Sequence, residues 1–400
     1  MPGVVQQPSD PSETVGKWEP SAAEVDELRA WLRAQGVSED DLARAASGSC
    51  AGEAMELSRH AVELVFRRDA GLSIRDIGHR SGVEPERIAR VFRAFGVAVP
   101  DLDAPDFTED DAELVGVAFE AGAVDSPDGL VLARAVATAL DRMAHAAVAF
   151  YVQGTEAELL RRGAPPLVLA QKTMHATELA GRLGVALGVL FRHHMRQAVE
   201  GQRISQNAAS SRDVAWIAIG FVDLVDSTAL GQRLDLSDLR KLVSEFEAQA
   251  FEVASQHGGR LVKFIGDEIM VAALDPAAGC RLVTALVETC TTGGMQPRGG
   301  MSWGEVLYRG GDYYGREVNL ASRLVDAAIP GEVLVDTAVV AAVEGEAAVA
   351  GRASTLPDLR FERAGRRVLK GFADPIEVWS VMPVTAHDAP NTLGRPTGPV

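Results

Sequence analysis

The amino-acid sequence changes character near residue 200, and this change limits the possible folds more than any other feature. Before it, apolar residues recur every three or four positions, which is typical of amphipathic helices, and no strand-like alternation occurs. From Val214 onward, short apolar runs such as VAWIAIGFVD and LVKFIGDEIMVAA alternate with helical patterns. The sequence therefore predicts an all-α domain followed by an α+β domain, an α/β sandwich with helices on one face of a mainly antiparallel sheet.

Composition and turn signals place the domain boundaries. We expect a flexible N-terminus at 1–20, an all-helical domain at 21–200, and a linker at 201–213, where residues are polar and small. A second domain at 214–383 and a disordered tail at 384–400, rich in Pro, Thr and Gly, follow. The first 20 residues contain no basic stretch and no apolar core, so they predict no secretion signal.

Capping residues and helix breakers divide the first half into helices. Ser21 and Glu24 form a capping-box pattern at the start of the first helix, and Ser73, Thr108 and Asp128 are expected caps further on. After the first helix, helical patterns cover residues 53–68, 73–80, 84–95, 109–121, 129–151 and 167–200. In the second half, the segment 367–381 predicts a closing hairpin.

The composition excludes several classes of protein. The 400 residues include 39 Lys and Arg against 56 Asp and Glu, a formal net charge of −17, which argues against a protein that coats nucleic acid. Hydrophobic residues make up 47% of the chain, enough for a folded core, yet no apolar run is long enough to span a membrane. The three cysteines, Cys50, Cys280 and Cys290, show no disulfide or zinc spacing, so we expect a cytoplasmic protein.

Two aspartates stand where strands of the second half end or turn. Asp223 ends the first predicted strand, and Asp267 follows Gly266 in the turn between two further apolar strands. If these strands are neighbours, the two carboxylates meet at one edge of the sheet, where they can hold divalent metal ions beside a polyphosphate. Each aspartate taken alone is more often a simple turn former.

Four further polar residues could bind a nucleotide. Lys263 and Asp312, a donor and an acceptor, can recognise adenine, whose ring nitrogen accepts and whose amino group donates, whereas guanine presents the opposite pattern. Asn319 and Arg323 share one helix face and could orient a ribose and bind a phosphoryl oxygen. An Asn and Arg pair at this spacing is also common on a solvated helix face.

Four sequence motifs follow one another in the second half: FVDLVDST (221–228), KFIGDE (263–268), GDYYGREVNLASRL (311–324) and LKG (369–371). In these motifs the chain resembles, from about Val214 to Val381, the catalytic domain of class III nucleotidyl cyclases. The resemblance implies a ferredoxin-like fold and an adenylyl cyclase, an enzyme that converts ATP to 3′,5′-cyclic AMP and pyrophosphate. It also implies a head-to-tail homodimer with two composite sites at the dimer interface.

The resemblance implies a role for each candidate residue as well. Asp223 and Asp267 would bind two divalent metal ions, Mg²⁺ or Mn²⁺; Lys263 and Asp312 would select adenine; Asn319 and Arg323 would stabilise the transition state. Lys370 is a further candidate contact to the triphosphate. Asp226 stands in the phosphate loop where many relatives carry glycine, and we expect its carboxylate to point away from the phosphates, which would repel it.

The first half resembles the all-helical regulatory domain of some actinobacterial cyclases, including cyclases that this domain inhibits and that acid releases. One segment suggests an alternative, because residues 72–96 contain two short helical patterns around Gly82, as in a helix-turn-helix. Its five arginines against three acids leave a charge of only +2, which makes nucleic acid an unexpected partner. A DNA-binding regulator with a nucleotide-sensing, catalytically weak second domain is the alternative function.

His193 and His194 lie near the C-terminal end of the helix predicted at 167–200. Histidine changes its charge near neutral pH, and protonation at this end would be favoured by the helix dipole. The same protonation would oppose burial of that face against the apolar run Leu183–Phe191. The two histidines are therefore candidate regulatory residues of a pH sensor, the alternative being ordinary surface or hydrogen-bonded histidines.

Overall fold

A computed structural model describes residues 18–46, 48–122, 125–206, 214–225, 233–291, 296–344 and 356–384. The chain divides into two compact units, Met1–His193 and His194–Val400. Asp226, most of the predicted linker and most of the two predicted flexible ends lie outside the described residues.

The first unit is built from helices, as the sequence predicts. They are α1 (Ala22–Ala34), α2 (Glu39–Arg44), α3 (Cys50–Arg67), α4 (Ile74–Ser81), α5 (Pro85–Ala94), α6 (Glu109–Glu120), α7 (Pro127–Phe150), α8 (Ala157–Arg161) and α9 (Pro166–Gln206). Helix α9 has 41 residues, extends six residues beyond its predicted end, and includes residues of both units. Neither α9 nor any other described helix is long and apolar enough to cross a membrane.

Side-chain caps fix where several of these helices begin. Ser21 accepts a hydrogen bond from the Glu24 N–H, and the Glu24 carboxylate accepts one from the Ser21 N–H, so the predicted capping box is confirmed. Ser73 and Thr108 cap α4 and α6, again as predicted. These caps satisfy backbone N–H groups that have no partner within the helix.

The start of α7 and the segment after it differ from the prediction. Asp128 is not the cap: Ser126 accepts from the Gly129 N–H, and Pro127 occupies the first helical position, where no N–H is needed. After α7 the backbone continues as a π-helix, Tyr151–Glu156, before α8 begins. The sequence gives no sign of this widened turn, because periodicity does not separate a π-helix from an α-helix over so few residues.

The two larger apolar clusters among the described residues of the first unit each join several helices. The first joins α1, α2, α3 and the start of α9 through Leu28, Leu32, Leu42, Leu57 and Ala170. The second joins α4, α5 and α6 through Ile74, Ile77, Ile88, Phe92 and Val115. Each large side chain buried in this way contributes roughly 1.5–3 kcal/mol to stability.

The second unit combines a sheet with helices. Its strands are β1 (Val214–Leu224), β2 (Arg260–Ile265), β3 (Glu268–Ala273), β4 (Pro297–Arg309), β5 (Asp312–Tyr314), β6 (Val333–Asp336), β7 (Leu359–Arg367) and β8 (Ile376–Pro383). Its helices, besides the end of α9, are α10 (Leu236–Gln256), α11 (Pro276–Thr289), α12 (Arg316–Ala327) and α13 (Thr337–Glu344). The strand order is β2-β3-β1-β4-β6-β8-β7 with β5 paired to β4, and of these pairings only β4 with β6 is parallel.

The helices cover both faces of the sheet, so the expectation of helices on one face is wrong. The alternating residues of β1 show the reason. Ala218 and Val222 pack with α10, α11 and α13, whereas Ile217, Ile219 and Phe221 pack on the other face with α12. Because both sets of side chains are apolar, both faces need a cover.

The predicted closing hairpin exists, but its first strand lies earlier in the chain. β7 pairs antiparallel with β8 from Leu359↔Pro383 to Arg367↔Ile376. Residues 368–375 of the predicted segment 367–381 therefore form the connection between the two strands. This connection carries Lys370.

Candidate active site

The two aspartates proposed as metal ligands lie at the same end of two neighbouring strands. β1 pairs antiparallel with β3, and Asp223 lies directly opposite Glu268. Asp267 precedes Glu268 in the two-residue turn after β2, where Gly266 has a φ of +68°. An L-residue rarely adopts that φ, so Gly266 permits the tight turn that brings Asp267 beside the end of β1.

Arg298 is bound to Asp223, and the sequence analysis did not identify it. Its Nη2 and Nε donate to Asp223 Oδ2 at 2.8 and 3.0 Å. Its Nη1 donates to the carbonyl oxygen of Asp326 at 3.0 Å. The only signal in the sequence is a basic residue at the start of a Gly-rich strand, and the register of β1 with β4 is what places it opposite Asp223.

Negative charge is concentrated around this pair. Burial raises the pKa of Asp223, Arg298 partly opposes the rise, and the charges of Asp267 and Asp326 add to it. The pKa of Glu268 rises to about 7, first because of burial and then because of the nearby charges of Asp223, Asp326 and Asp267. Negative charge gathered in a partly buried place forms a site that a cation would stabilise.

The donor set fits a hard divalent cation. Within the described residues, no group of three or more His, Cys, Asp or Glu side chains is arranged as a complete metal cage. Mg²⁺, however, is usually bound by one or two carboxylates together with substrate phosphates. Asp223 and Asp267 supply such a pair, and Asp223 already neutralises a cationic group, that of Arg298. The residues present therefore fit metal binding that a nucleotide completes.

The two residues expected to recognise a base form an ion pair. Lys263 Nζ donates to Asp312 Oδ2, although the two residues are 49 positions apart in the chain. The other carboxylate oxygen of Asp312 accepts the backbone N–H of Tyr313 at 2.9 Å. A donor and an acceptor from two separate strands, β2 and β5, are thus brought to one point.

A β-bulge in β2 decides which face of the sheet Lys263 occupies. The register of β2 with β3 runs Arg260↔Ala272, Leu261↔Val271 and then Lys263↔Met270. Val262 is therefore an additional residue, and Lys263 shares a face with Arg260. Strict alternation would have placed Lys263 on the opposite face with Leu261, which packs in the core beneath α10 and α11.

Asn319 and Arg323 lie one turn apart on α12, as their spacing predicts. The helix lies close against β4 because Gly300 has no side chain, and a Cβ there would be 2.3 Å from the Val325 backbone nitrogen. Asn319 is exposed, whereas Arg323 pairs with Asp326 at 2.5 Å. Since Arg298 binds the carbonyl of Asp326, α12 is connected to the aspartate pair.

Among the described residues, the remaining candidates form no hydrogen bond or ion pair with the site residues above. Lys370 is exposed between β7 and β8, and among the described residues it forms no hydrogen bond or ion pair. Asp226 lies outside the described residues, so the expected orientation of its carboxylate stays a prediction. His193 and His194 are both exposed on α9, where the two units meet in sequence.

The segment 72–96 has a helix-turn-helix shape but not the chemistry of a DNA-binding surface. α4 ends at Gly82, which has a φ of +68°, and α5 follows directly. Three of its five arginines pair with acids elsewhere in the first unit: Arg75 with Asp103, Arg80 with Glu109 and Arg87 with Asp125. Arginines neutralised in this way have little charge left to offer to phosphates, which disfavours the DNA-binding alternative.

Two family models match the chain. The model described as adenylate cyclase regulatory domain matches residues 19–199. The model described as adenylate and guanylate cyclase catalytic domain matches residues 210–381. The first match covers the helical unit, and the second covers the strands that carry Asp223, Lys263 and Asp312 and the turn that carries Asp267.

Individual relatives match over both halves. An uncharacterised protein of Mycobacterium tuberculosis is 33% identical over 334 residues, 79% of each chain. An adenylate cyclase of Glutamicibacter nicotianae is 32% identical over 284 residues, 66% of this chain and 69% of the relative. A protein named pH-sensitive adenylate cyclase, from Mycobacterium tuberculosis, is 29% identical over 370 residues, 90% of this chain and 88% of the relative. The chain therefore belongs to the class III adenylate cyclases that carry an all-helical regulatory domain before the catalytic domain.

Proposed function

We propose that this enzyme converts ATP to 3′,5′-cyclic AMP and pyrophosphate as a homodimer, and that its helical half regulates the rate. The observation that carries the proposal is the Lys263–Asp312 pair, which joins β2 and β5. These strands belong to the same sheet as β1, which carries Asp223 near its end. Lys263 would donate to a ring nitrogen of adenine, and Asp312 would accept from its amino group. Guanine would leave both side chains poorly paired, at a cost of about 1–3 kcal/mol each.

The chemistry joins the ribose 3′-oxygen to the α-phosphorus and releases pyrophosphate. Mg²⁺ or Mn²⁺ ions bound by Asp223 and Asp267 would stabilise the triphosphate charge and lower the pKa of the 3′-hydroxyl. The Arg323 guanidinium would donate to a phosphoryl oxygen as negative charge develops there, and the Asn319 amide would hold the ribose. Lys370 would contribute a positive charge to the triphosphate.

A second copy of the chain would complete each site. Apolar side chains beside the candidate residues remain exposed: Ile265 is 45% exposed, Leu307 41% and Tyr314 52%. Leu307 and Tyr314 face each other across the hairpin that carries Asp312, and Ile265 lies opposite Glu268. Exposed apolar groups around polar site residues favour an interface. We therefore assign Asp223 and Asp267 of one subunit, with Lys263, Asp312, Asn319 and Arg323 of the other, to each composite site.

Regulation by pH is part of the proposal. The relative named pH-sensitive adenylate cyclase matches nearly the whole chain, including the helical half. α9 is continuous from the first unit into the second and carries His193 and His194 at the point where the units divide. Protonation of these histidines would change the charge of α9 without breaking the chain of backbone hydrogen bonds. We also place the enzyme in the cytoplasm, which its free thiols Cys50, Cys280 and Cys290 support.

The test is an assay of cyclic AMP formation by the full chain with ATP and Mg²⁺ or Mn²⁺. Asp223→Ala and Asp267→Ala should each lower turnover at least about 100-fold, because each removes a ligand. Asp267→Ala should change the melting temperature little, whereas Asp223→Ala should also lower it, because Arg298 loses its carboxylate partner. The exposed Asp374→Ala is the matched control and should keep full activity. Wild-type activity in either site variant would exclude the metal assignment.

Mixing two inactive chains tests the composite sites. A heterodimer of Asp223→Ala with Arg323→Ala regains one intact site if each site takes these residues from different subunits. Activity should therefore return to as much as about a quarter of the wild-type value in an equal mixture, since half of the dimers are mixed and each has one working site. No recovery in a mixture shown to contain heterodimers would exclude shared sites.

A further inference from the structure

Arg260 stacks on two tyrosine rings beside the pair proposed to recognise the base. Its guanidinium carbon lies 5.1 Å from the centroid of the Tyr313 ring and 5.9 Å from that of Tyr308. The two rings are themselves 5.1 Å apart, tilted by 41°. Arg260 is exposed, whereas Tyr313 is only 8% exposed, so the arginine covers a ring that is otherwise enclosed. These are the distances of a cation–π interaction.

The stacked rings are joined to Asp312 through the backbone. Tyr313 follows Asp312, and its N–H donates to Asp312 Oδ1 at 2.9 Å. Tyr308 lies opposite Tyr313 across the β4–β5 pairing. Any shift of the Tyr313 ring and backbone therefore moves the carboxylate that would accept from adenine.

The loop of this hairpin needs an external restraint. Gly310 and Gly311 connect β4 to β5, with φ values of 61° and 86°. Glycine limits the backbone less than any other residue, so this loop alone fixes the position of Asp312 weakly. β5 contains only three residues and, among the described strands, pairs with β4 alone. The contact from β2 to the hairpin is thus important for holding it in place.

We propose that Arg260 is a positioning residue for base selection. Lys263 and Arg260 share one face of β2 because of the bulge at Val262. Lys263 holds Asp312 Oδ2, and Arg260 holds the ring of the residue that binds Asp312 Oδ1. One strand therefore fixes both oxygens of the carboxylate, and β2 sets the angle at which Asp312 meets the amino group of the base. This inference rests on the proposed selection of adenine by Lys263 and Asp312.

Removing the contacts of Arg260 with the two tyrosine rings should reduce the discrimination between ATP and GTP. A cation–π contact at an exposed site corresponds to about two- to fivefold in an equilibrium constant. Arg260→Ala should therefore lower the ratio of kcat/KM for ATP to that for GTP by about two- to fivefold. Most of the change should appear in KM for ATP, since the base does not take part in the reaction.

The experiment compares five variants of the full chain. Arg260→Ala removes the cation from both rings and Tyr308→Leu removes one of the two rings, whereas Arg260→Lys and Tyr308→Phe keep a cation and a ring. Arg309→Ala removes a positive charge from the same hairpin, and the described contacts place Arg309 on neither ring. The dissociation constants of ATP and GTP, measured by calorimetry, accompany the kinetic ratios and the melting temperatures.

We expect the ATP preference to fall in Arg260→Ala and Tyr308→Leu and to stay within about twofold of wild type in the other three. An unchanged preference in a folded Arg260→Ala, or an equal loss in Arg309→Ala, would overturn the proposal. Failure of the proposed function looks different, because the wild type would then form no cyclic AMP. In that case the calorimetric ratio of ATP to GTP binding still decides whether Arg260 positions Asp312.

Discussion

At the scale of single residues, Asp336 is a carboxyl group that the protein buries at the end of β6. Burial raises its pKa to about 7, and the nearby charge of Glu317 adds to the rise. In the unfolded chain an aspartate ionises near its ordinary pKa of about 3.9. The folded form therefore keeps a proton that the unfolded form loses, so the free energy of unfolding falls as the pH rises from about 4 to about 7.

Asp336→Asn should remove the contribution of Asp336 to this dependence. The asparagine Oδ1 can still accept from the Val339 N–H, which Asp336 binds at 3.3 Å. The gain in stability at pH 8 should be large, up to roughly 4 kcal/mol, and it should vanish near pH 4. Thermal unfolding at pH 5 and pH 8 measures it, with the exposed Asp374→Asn as control. If wild type and Asp336→Asn show the same change in melting temperature with pH, Asp336 is not the responsible group.

Single residues also show how far sequence reasoning extends. Lys263 and Asp312 could be selected as a donor and an acceptor suited to adenine, and the structure pairs them, while their role in base selection stays a prediction. Arg298 could not, because its significance depends on lying opposite Asp223, a residue 75 positions away. The register between distant strands is set by turn lengths and by the packing of both sheet faces. Neither can be determined directly from a single sequence.

At the scale of elements, β2 shows the same limit. The sequence predicts β2, its turn and β3 correctly, because two short apolar runs on either side of a Gly-Asp turn can adopt few structures other than a hairpin. The bulge at Val262 was not predicted, although it decides the face of Lys263. Helices were predicted more completely, because caps and apolar spacing are local signals, but the short α2 and α13 have too few turns to show a period.

Deletion of Val262 should leave both faces of β2 unchanged. With the additional residue removed, Lys263 still lies opposite Met270, and Arg260 and Leu261 keep their partners. We expect a folded enzyme with its ATP preference retained, because the deletion converts a bulged strand to a regular one. Deletion of Phe264 is the control. It shifts Ile265 towards the core face and displaces the turn that carries Asp267. Activity should therefore fall at least about 100-fold. Loss of the ATP preference in the Val262 deletion would contradict this expectation. It would show that the bulge itself, and not only the strand register, orients Lys263.

At the scale of the whole molecule, the main question is how the helical half affects the catalytic half. Residues from His194 onward belong to the catalytic unit, and Gly201 of α9 is close enough to Leu274 that an added Cβ would lie 3.6 Å from its Cδ1. A truncation that tests the catalytic half should therefore begin at His194, not within or after the last turns of α9.

The pH–activity profiles of the full chain and of residues 194–400 should differ. We expect the full chain to be restrained near neutral and alkaline pH and released below about pH 6.5, where histidine side chains ordinarily titrate. The truncated chain should lack this acid activation, and His193→Ala/His194→Ala should flatten the profile of the full chain. Profiles of the same shape and similar rates for full and truncated chains would exclude the helical half as inhibitor and as pH sensor.

The unbroken course of α9 has a consequence for how this chain can change in length. Each residue of an α-helix adds about 1.5 Å and about 100° of rotation, so one residue inserted between Pro166 and Gln206 turns everything after it by that angle. The shortest insertion that nearly restores the original phase is about seven residues, close to two full turns. Substitution of exposed α9 side chains other than His193 and His194 leaves this phase unchanged, whereas insertion or deletion of a single residue changes it.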